Sequence, residues 1–328
     1  MTRAKIIATG SYTPEHVLTN FDLEQMVDTS DEWIRTRSGI VERRIARKDE
    51  DTSDMAVEAA KNALDMAGMK PEDIDLLIIA SVTPDYRLPS QACIVQDKLG
   101  MVNAAAFDIV AACAGFIHGL SLGQAYIGTG QYKRIMVIGA EKLSYITNYK
   151  DRNTCVLFGD AAGAAILVPT DEDTGILSTF IKSDGTLAKL LYIPAGGVHN
   201  PYSMNGSGPA PEDYFLQMQG NEIYKHAVRS MGNAAERVIT MSGLEKKDVD
   251  WLVPHQANIR IIQATAKRID LSMDKVVLNI EKYGNTSAAS VPLALDEAIR
   301  NGRIKHGDNI VSVAFGGGLT WGAVLFRW

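Results

Sequence analysis

The sequence holds only 3 cysteines in 328 residues, and no two of them form a CxxC pair. Cys93, Cys113 and Cys155 therefore offer neither a disulfide framework nor the ligand spacing of a zinc site. So sparse a set fits a reducing compartment, and cytoplasmic localisation is expected. There is no uninterrupted apolar run of the ~18–20 residues that a membrane span needs. The longest candidate, 104–117, is broken by Asp108. Residues 1–14 are too short an apolar stretch for a secretory signal and meet Thr13-Pro14 early. An excess of basic charge is also missing. Lys+Arg number 33 against 39 Asp+Glu, a formal charge of -6, which argues against a general nucleic-acid binder. A local basic patch is still compatible with that balance.

What is present is an ordinary globular composition, 46% hydrophobic and 22% charged, which excludes disordered and fibrous classes. At ~150 residues per domain, the length suggests two domains or two similar halves. Continuous apolar runs at Ile74–Ala80, Ile135–Gly139 and Ala164–Val168 predict strands buried on both faces. Thr52–Gly68 has helical spacing, with Met55, Ala59, Ala63 and Met66 on one face and Gly68 as its stop. Strands alternating with helices predict an α/β fold with a mostly parallel sheet.

An internal repeat organises the chain. Ala67–Ile78 resembles Ser242–Val253, Ala125–Gln131 resembles Glu297–Arg303, and Phe158–Leu167 resembles Phe315–Phe326. Three matched blocks in one order predict two duplicated α/β halves, 1–175 and 176–328. The stretch His199–Asp213, with Pro201, Gly206, Gly208, Pro209 and Pro211, predicts a long surface loop.

Cys113 follows the strand-like run Ala106–Val110 and small residues, and precedes a helical pattern reaching Gly130. At such a strand-to-helix turn the free N–H groups of the helix start favour a thiolate, so a depressed thiol pKa is expected. Cys93 and Cys155 lack that setting and are expected to be buried packing residues. His255 ends the strand-like run Val249–Val253, where functional groups of open α/β sheets collect. The other histidines, His118 among them, are expected to be structural or surface residues. Asn285 stands between an expected strand, Val276–Ile280, and an expected helix, Pro292–Arg300. At an offset of 172 residues it is assigned the place that Cys113 holds in the first half. Phe315–Leu319 is a glycine-rich turn able to present a backbone N–H to a reacting oxygen. A Cys, a His and an Asn point to acyl chemistry through a thioester. On these residues alone, hydrolysis by water and transfer to a second acceptor both remain open.

Asp108–Phe116 (DIVAACAGF), Val253–Asn258 (VPHQAN), Tyr283–Ser290 (YGNTSAAS) and Phe315–Gly322 (FGGGLTWG) together resemble β-ketoacyl-acyl-carrier-protein synthase III. This family of condensing enzymes belongs to the thiolase-like superfamily, and the resemblance spans essentially the whole chain. It implies a five-layer αβαβα fold built from two duplicated α/β halves, and a homodimer. It implies that Cys113 takes an acyl group from acyl-CoA, and that malonyl-acyl carrier protein then enters. Decarboxylation there generates the attacking carbanion. His255 and Asn285 hold the malonyl thioester oxygen, and the N–H groups of Cys113 and Gly317 form the oxyanion hole. No metal or prosthetic group is implied; acyl-CoA is a substrate. Trp33 and Arg152 match residues that sandwich the adenine of CoA, and Arg37 lies in the same motif, Asp31–Ile40. Gln256, Ala257, Asn258, Ile259 and Arg260 match the carrier-protein contact segment, and Lys267 and Lys225 extend a basic face suited to an acidic partner. Leu88 stands where acetyl-selective members often carry a Phe that lines the partner subunit's acyl pocket. That departure implies a broadened starter preference, including short or branched acyl groups. The resemblance leaves open an analogous condensing enzyme of secondary metabolism, a Cys-His thioester hydrolase and a scaffold without turnover.

Overall fold

A strand made wholly of apolar residues needs cover on both faces, and the two large sheets of this protein receive it. The structure, a computed structural model, describes residues 2–202 and 208–328. Strands β1 (Arg3–Tyr12), β2 (Leu76–Ala80), β3 (Ala105–Ile109), β4 (Ile135–Glu141) and β5 (Ala161–Thr170) form one sheet in the order β1-β5-β4-β2-β3. Strands β6 (Gly175–Ser183), β7 (Trp251–Pro254), β8 (Asn309–Gly316) and β9 (Thr320–Arg327) form the other, ordered β7-β8-β9-β6.

Helices α2 (Thr52–Ala67) and α3 (Gln91–Leu99) follow a shorter α1 (Asp31–Ser38) and cover the outer face of the first sheet. Helices α5 (Gly220–Ser242) and α6 (Ile259–Arg268) cover the outer face of the second. Between the sheets lie α4 (Gly115–Gly128) and α7 (Ser290–Arg300), which gives five layers, αβαβα. Side chains alternate across each strand and sort themselves between these layers. In β2, Leu76 and Ile78 join the central core with Phe116, Leu120 and Leu295. Leu77 and Ile79 face the outer core with Met55, Ala59 and Val95. In β8, Ile310 and Ala314 turn inward, whereas Val311, Val313 and Phe315 meet Val238 and Ile262 outside. Each of these Val, Leu, Ile, Phe and Met side chains contributes ~1.5–3 kcal/mol through full burial.

Both sheets are mixed, which corrects the mostly parallel expectation. β2 pairs in parallel with β3 and β4, as β7 does with β8. β5 runs antiparallel to β1 and β4, and β9 antiparallel to β8 and β6. The last strand of each half returns through a connection without a crossover helix, residues 142–160 and 317–319, so it must reverse direction.

The duplication is regular. α2 and α5 end on left-handed glycines, Gly68 (φ 63°) and Gly243 (φ 79°), and each is followed by one 3-10 turn and a parallel strand. Met66 is more exposed than its helical face predicts, because it sits at the rim, where its sulfur accepts the Thr9 N–H at 3.3 Å. The expected strand Val276–Ile280 is reduced to a single bridge between Leu252 and Val276, and Ile280 opens a short helix, Ile280–Tyr283. The side-chain amide of Gln256 bonds Val277 O and Asn279 N there, in place of a further ladder strand. Of the expected loop 199–213, residues 203–207, including Gly206, lie outside the described residues; its end enters a 3-10 turn, Pro211–Tyr214. Among the described residues, no helix is long and apolar enough to cross a membrane.

The second-half turn at Ser287–Ala289 sits directly on β4, at Gly139. A Cβ at Gly139 would lie 2.2 Å from Ala288 O, and neither backbone can yield cheaply. Gly139→Ala is therefore expected to destabilise the fold by ~1–3 kcal/mol in denaturant unfolding. An unchanged midpoint would contradict this packing.

Candidate active site

β3 ends at Ile109, and the chain turns through Ala112, at φ 44°, into a 3-10 turn, Ala112–Ala114, and then α4. The second half repeats this with Ser287, at φ 48°, a 3-10 turn, Ser287–Ala289, and α7. Positive φ is uncommon for non-glycine residues, so its recurrence marks two equivalent turns. The turns match at an offset of 175, not 172. Cys113 is thus equivalent to Ala288, and Asn285 lies three residues ahead of that place, which corrects the sequence-based pairing. The two turns pack together at the seam between the halves. A third segment closes on them: a Cβ at Gly316 would stand 2.6 Å from the Cys113 nitrogen, so only glycine lets the β8–β9 turn approach.

Cys113, His255, Asn285, Ser287 and Gly317 line one cavity of about 1030 Å³. The Cys113 thiol is buried, and burial pushes its pKa up to about 12. Contact with the Ser287 hydroxyl pulls it down, and the Glu141 carboxylate pushes it further up. This overturns the expected depressed pKa. The thiol lies within the seam, before the first residue of α4, where loss of hydration outweighs the free N–H groups.

His255 is buried at the end of β7, where its backbone N–H donates to Val313 O at 2.8 Å. Burial pushes its pKa down to about 3, so the ring is neutral. Its Nδ1 lies 2.6 Å from Ser290 Oγ, and the Gln256 N–H donates to that oxygen at 3.5 Å. With the Ser290 O–H donating to Nδ1, the ring proton sits on Nε2. Asn285 is stitched to the 157–159 segment: its N–H donates to Leu157 O at 2.8 Å, and its carbonyl accepts from the Gly159 N–H at 3.0 Å. Its Oδ1 accepts the Ser287 N–H at 2.9 Å, which leaves Nδ2 as a donor. The site therefore combines one buried nucleophile with two neutral donors. Such donors can hold an oxygen that gains negative charge.

Trp33 lies near the start of α1, and the guanidinium groups of Arg37 and Arg152 stand 4.6 and 4.5 Å from its ring. Trp33 and Arg37 line a recess of about 310 Å³ that shares Arg37 and Asn153 with the main cavity. Arg260 and Ala257 line the main cavity as well, and Lys267 is exposed two turns along α6. Asn258 caps α6, its Oδ1 accepting the Arg260 N–H at 2.9 Å, and Ile259 packs at Gly39. Lys225, on α5, pairs with Glu222 at 2.7 Å. Gln256 is a correction to the docking segment: it is buried, and its amide bonds Pro254 O, Val277 O and Asn279 N. Leu88 lies outside the cavity and is 87% exposed.

Two further expectations change. Cys93 is exposed, because it lies over the edge strand β3, its sulfur 3.9 Å from Ala106 O, while Ala92 and Val95 enter the core; Cys155 is buried, as expected. His118 lines the cavity, yet both ring nitrogens are engaged, with Ala114 O at 2.9 Å and Thr320 Oγ1 at 3.2 Å.

The comparisons with known proteins agree with this geometry. Residues 107–185 match the family described as 3-oxoacyl-[acyl-carrier-protein (ACP)] synthase III, and residues 239–328 match its C-terminal counterpart. The β-ketoacyl-[acyl-carrier-protein] synthase III of Caldanaerobacter subterraneus subsp. tengcongensis is 56% identical over 325 residues, 99% of this chain and 98% of that protein. The crystal structure of the synthase III from Aquifex aeolicus VF5 is 48% identical, with a TM-score of 0.91 over 99% of this chain and 100% of that one. That of the Thermus thermophilus enzyme is 43% identical, with a TM-score of 0.92 over 99% of each chain. The chain belongs to the β-ketoacyl-acyl-carrier-protein synthase III family. It is an acyltransferase, a thiolase-like condensing enzyme that initiates type II fatty-acid synthesis by condensing acyl-CoA with malonyl-acyl carrier protein.

Three residues of the site had no assigned part in the sequence: Ser287, Ser290 and Glu141. Both serines lie in the YGNTSAAS motif, spaced three apart at a helix entrance, and that spacing was the available signal. Glu141 ends an otherwise apolar strand buried on both faces, which no unpaired carboxylate tolerates without a reason.

The buried thiol gives a direct expectation. Alkylation of Cys113 at pH 7–8 should be much slower than that of a free cysteine, whose pKa is ~8.5, because burial disfavours the thiolate. A rate equal to or above that of a free cysteine would contradict the burial argument.

Proposed function

We propose that Cys113 carries the acyl group between two half-reactions while His255 and Asn285 stabilise the enolate of the second. The observation that supports this most is the pairing of one dry thiol with two neutral donors in a single cavity. Acyl-CoA enters with its nucleotide against Trp33, Arg37 and Arg152, an indole with two guanidinium groups suited to an adenine nucleotide. Cys113 attacks the acyl carbon, and the N–H groups of Cys113 and Gly317 hold the oxyanion. CoA leaves and malonyl-acyl carrier protein docks. Arg260, Lys267 and Lys225 meet the acidic carrier, with Ala257, Asn258 and Ile259 at the same mouth. As the malonyl group loses CO2, its thioester oxygen gains charge between His255 Nε2–H and Asn285 Nδ2–H. Each donor of this kind is worth ~2.7–4 kcal/mol in a transition state. A His255 kept neutral by burial suits this role, since it donates without titrating near neutral pH. The resulting carbanion attacks the Cys113 thioester and releases the 3-oxoacyl product.

A homodimer belongs to the same reading. β3 is an edge strand with β2 alone as partner, and Tyr86, Leu88 and Val110 are exposed apolar residues of the segments around it. Joining two copies at this edge would cover it and offer Leu88 to the partner's acyl pocket, where a side chain smaller than Phe leaves room for a short or branched starter. One or two methylenes shift binding by only ~1–3 kcal/mol, so the preference broadens rather than switches. Cytoplasmic residence goes with this reading.

Two expectations separate the half-reactions. His255→Ala and Asn285→Ala should still form the acyl adduct by intact mass but lose condensation by ~10²–10³-fold each, whereas Cys113→Ala should form no adduct. Equal loss of both half-reactions in the His and Asn variants would contradict the division of labour. Arg260→Glu should raise the KM for malonyl-carrier protein and leave loading from acyl-CoA unchanged; parallel loss in both would contradict the docking face.

A further inference from the structure

The reaction as described leaves one proton without a holder. Cys113 is a thiol at rest, and it must lose that proton to become a thioester. His255 is a poor acceptor: burial disfavours its charged form, and its Nδ1 is taken by Ser290.

Beneath the nucleophile lies a carboxylate that the established activity does not use. Glu141 is fully buried at the end of β4. Its Oε2 accepts from Thr83 Oγ1 at 2.7 Å, the Val82 N–H at 3.0 Å and Ser81 Oγ at 3.4 Å. Its Oε1 accepts from Ser287 Oγ at 3.0 Å. That serine lies on the turn packed against the Cys113 turn, and the two residues line the same cavity. The neighbouring charged and titratable groups are turned elsewhere. Lys142, next in the chain, donates to the carbonyls of Arg47 and Glu50. Asp160, ahead of β5, is held by Ser144 and the Ala46 N–H. Asp108, on β3, is held by the N–H groups of Gln91 and Ala92. Among the described residues, Cys113 is the titratable group that faces Glu141.

We propose that Glu141, acting through the hydroxyl of Ser287, takes the Cys113 proton during acyl loading and returns it when the thiolate is expelled during condensation. This rests on the reading of Cys113 as the acyl carrier. In loading, sulfur attacks the acyl carbon of acyl-CoA as the S–H proton passes to Ser287 and the Ser287 proton to Glu141. The bond from the acyl carbon to the CoA sulfur breaks, and the departing CoA thiolate takes a proton from water. In condensation the carbanion displaces Cys113, and the thiolate recovers its proton from Glu141 through Ser287. The cycle thus consumes one solvent proton, the one that CoA carries away. At no stage do a thiolate and a carboxylate have to coexist in the buried seam, where two like charges are costly.

The electrostatics suit a reversible store. Burial pushes Glu141 up to about 7, opposed by the hydrogen bonds of Thr83, Val82, Ser287 and Ala288. Ser287 is held at φ 48°, and Asn285 Oδ1 accepts its N–H, so the relaying hydroxyl is fixed by the same turn that fixes the enolate donor.

The test is single-turnover loading of the full-length enzyme with acetyl-CoA, followed by intact mass from pH 5 to 9. Wild type should load with a rate that rises to a plateau through an inflection near neutrality; His255, pushed to about 3, does not titrate in that window. Glu141→Gln and Ser287→Ala should each slow loading by ~10²–10⁴-fold, the range for positioned proton transfer, and should replace the inflection with a continuous alkaline rise. Thr83→Val removes one bond to the charged carboxylate and should move the wild-type inflection up by roughly one unit with the plateau rate kept. That shift decides the matter even if Glu141→Gln fails to fold. Loading by the Glu141 and Ser287 variants within threefold of wild type, with the inflection kept, would overturn the relay alone. So would an unmoved inflection in Thr83→Val. Absence of any adduct on wild-type Cys113 would overturn the carrier role and the relay together.

Discussion

Everything in the site depends on sealing one thiol in the seam between two halves. Three backbone segments meet at Cys113: its own turn, the equivalent turn at Ser287–Ala289, and the glycine turn after β8. Their close approach buries the thiol and raises its pKa. The same approach brings the two neutral donors within one cavity. A dry site strengthens each hydrogen bond to a developing charge.

The duplicated core supplies the seam, and the connections supply much of the cavity lining. The first half carries long segments between β1 and α2 and between β4 and β5, and these bear Trp33, Arg37, Arg152 and Asn153. The second half carries its long segment between β6 and α5, and Leu191, Ile193 and Leu216 from it line the cavity. The rigid repeat thus fixes the reacting groups, while irregular segments shape the entrance.

Much of this was legible in the chain. Apolar runs announced strands covered on both faces, and Gly68, with the repeat of Ala67–Ile78 at Ser242–Val253, announced matching helix ends. The direction of β5 and β9 was not legible, because it depends on whether a connection folds back, which composition does not encode. The offset error at Asn285 arose from matching chemical roles across the repeat; the equivalence lies in backbone angles at Ala112 and Ser287. The thiol pKa was misjudged from local sequence because burial by Gly316 and Ser287 is a tertiary property. Gln256 shared a motif with exposed neighbours, yet its amide is consumed inside. Trp33 alone would read as any aromatic; only the family resemblance singled it out.

The account stands or falls on whether the buried thioester is a transfer intermediate. The most direct measurement is the lifetime of acyl-Cys113 after excess acyl-CoA is removed, by intact mass, with and without malonyl-acyl carrier protein. The account predicts an adduct that persists in buffer and is discharged within a turnover when the acceptor is added, with 3-oxoacyl-carrier protein formed in equal amount. Loss at the same rate in buffer alone, with free acid as product, would contradict it.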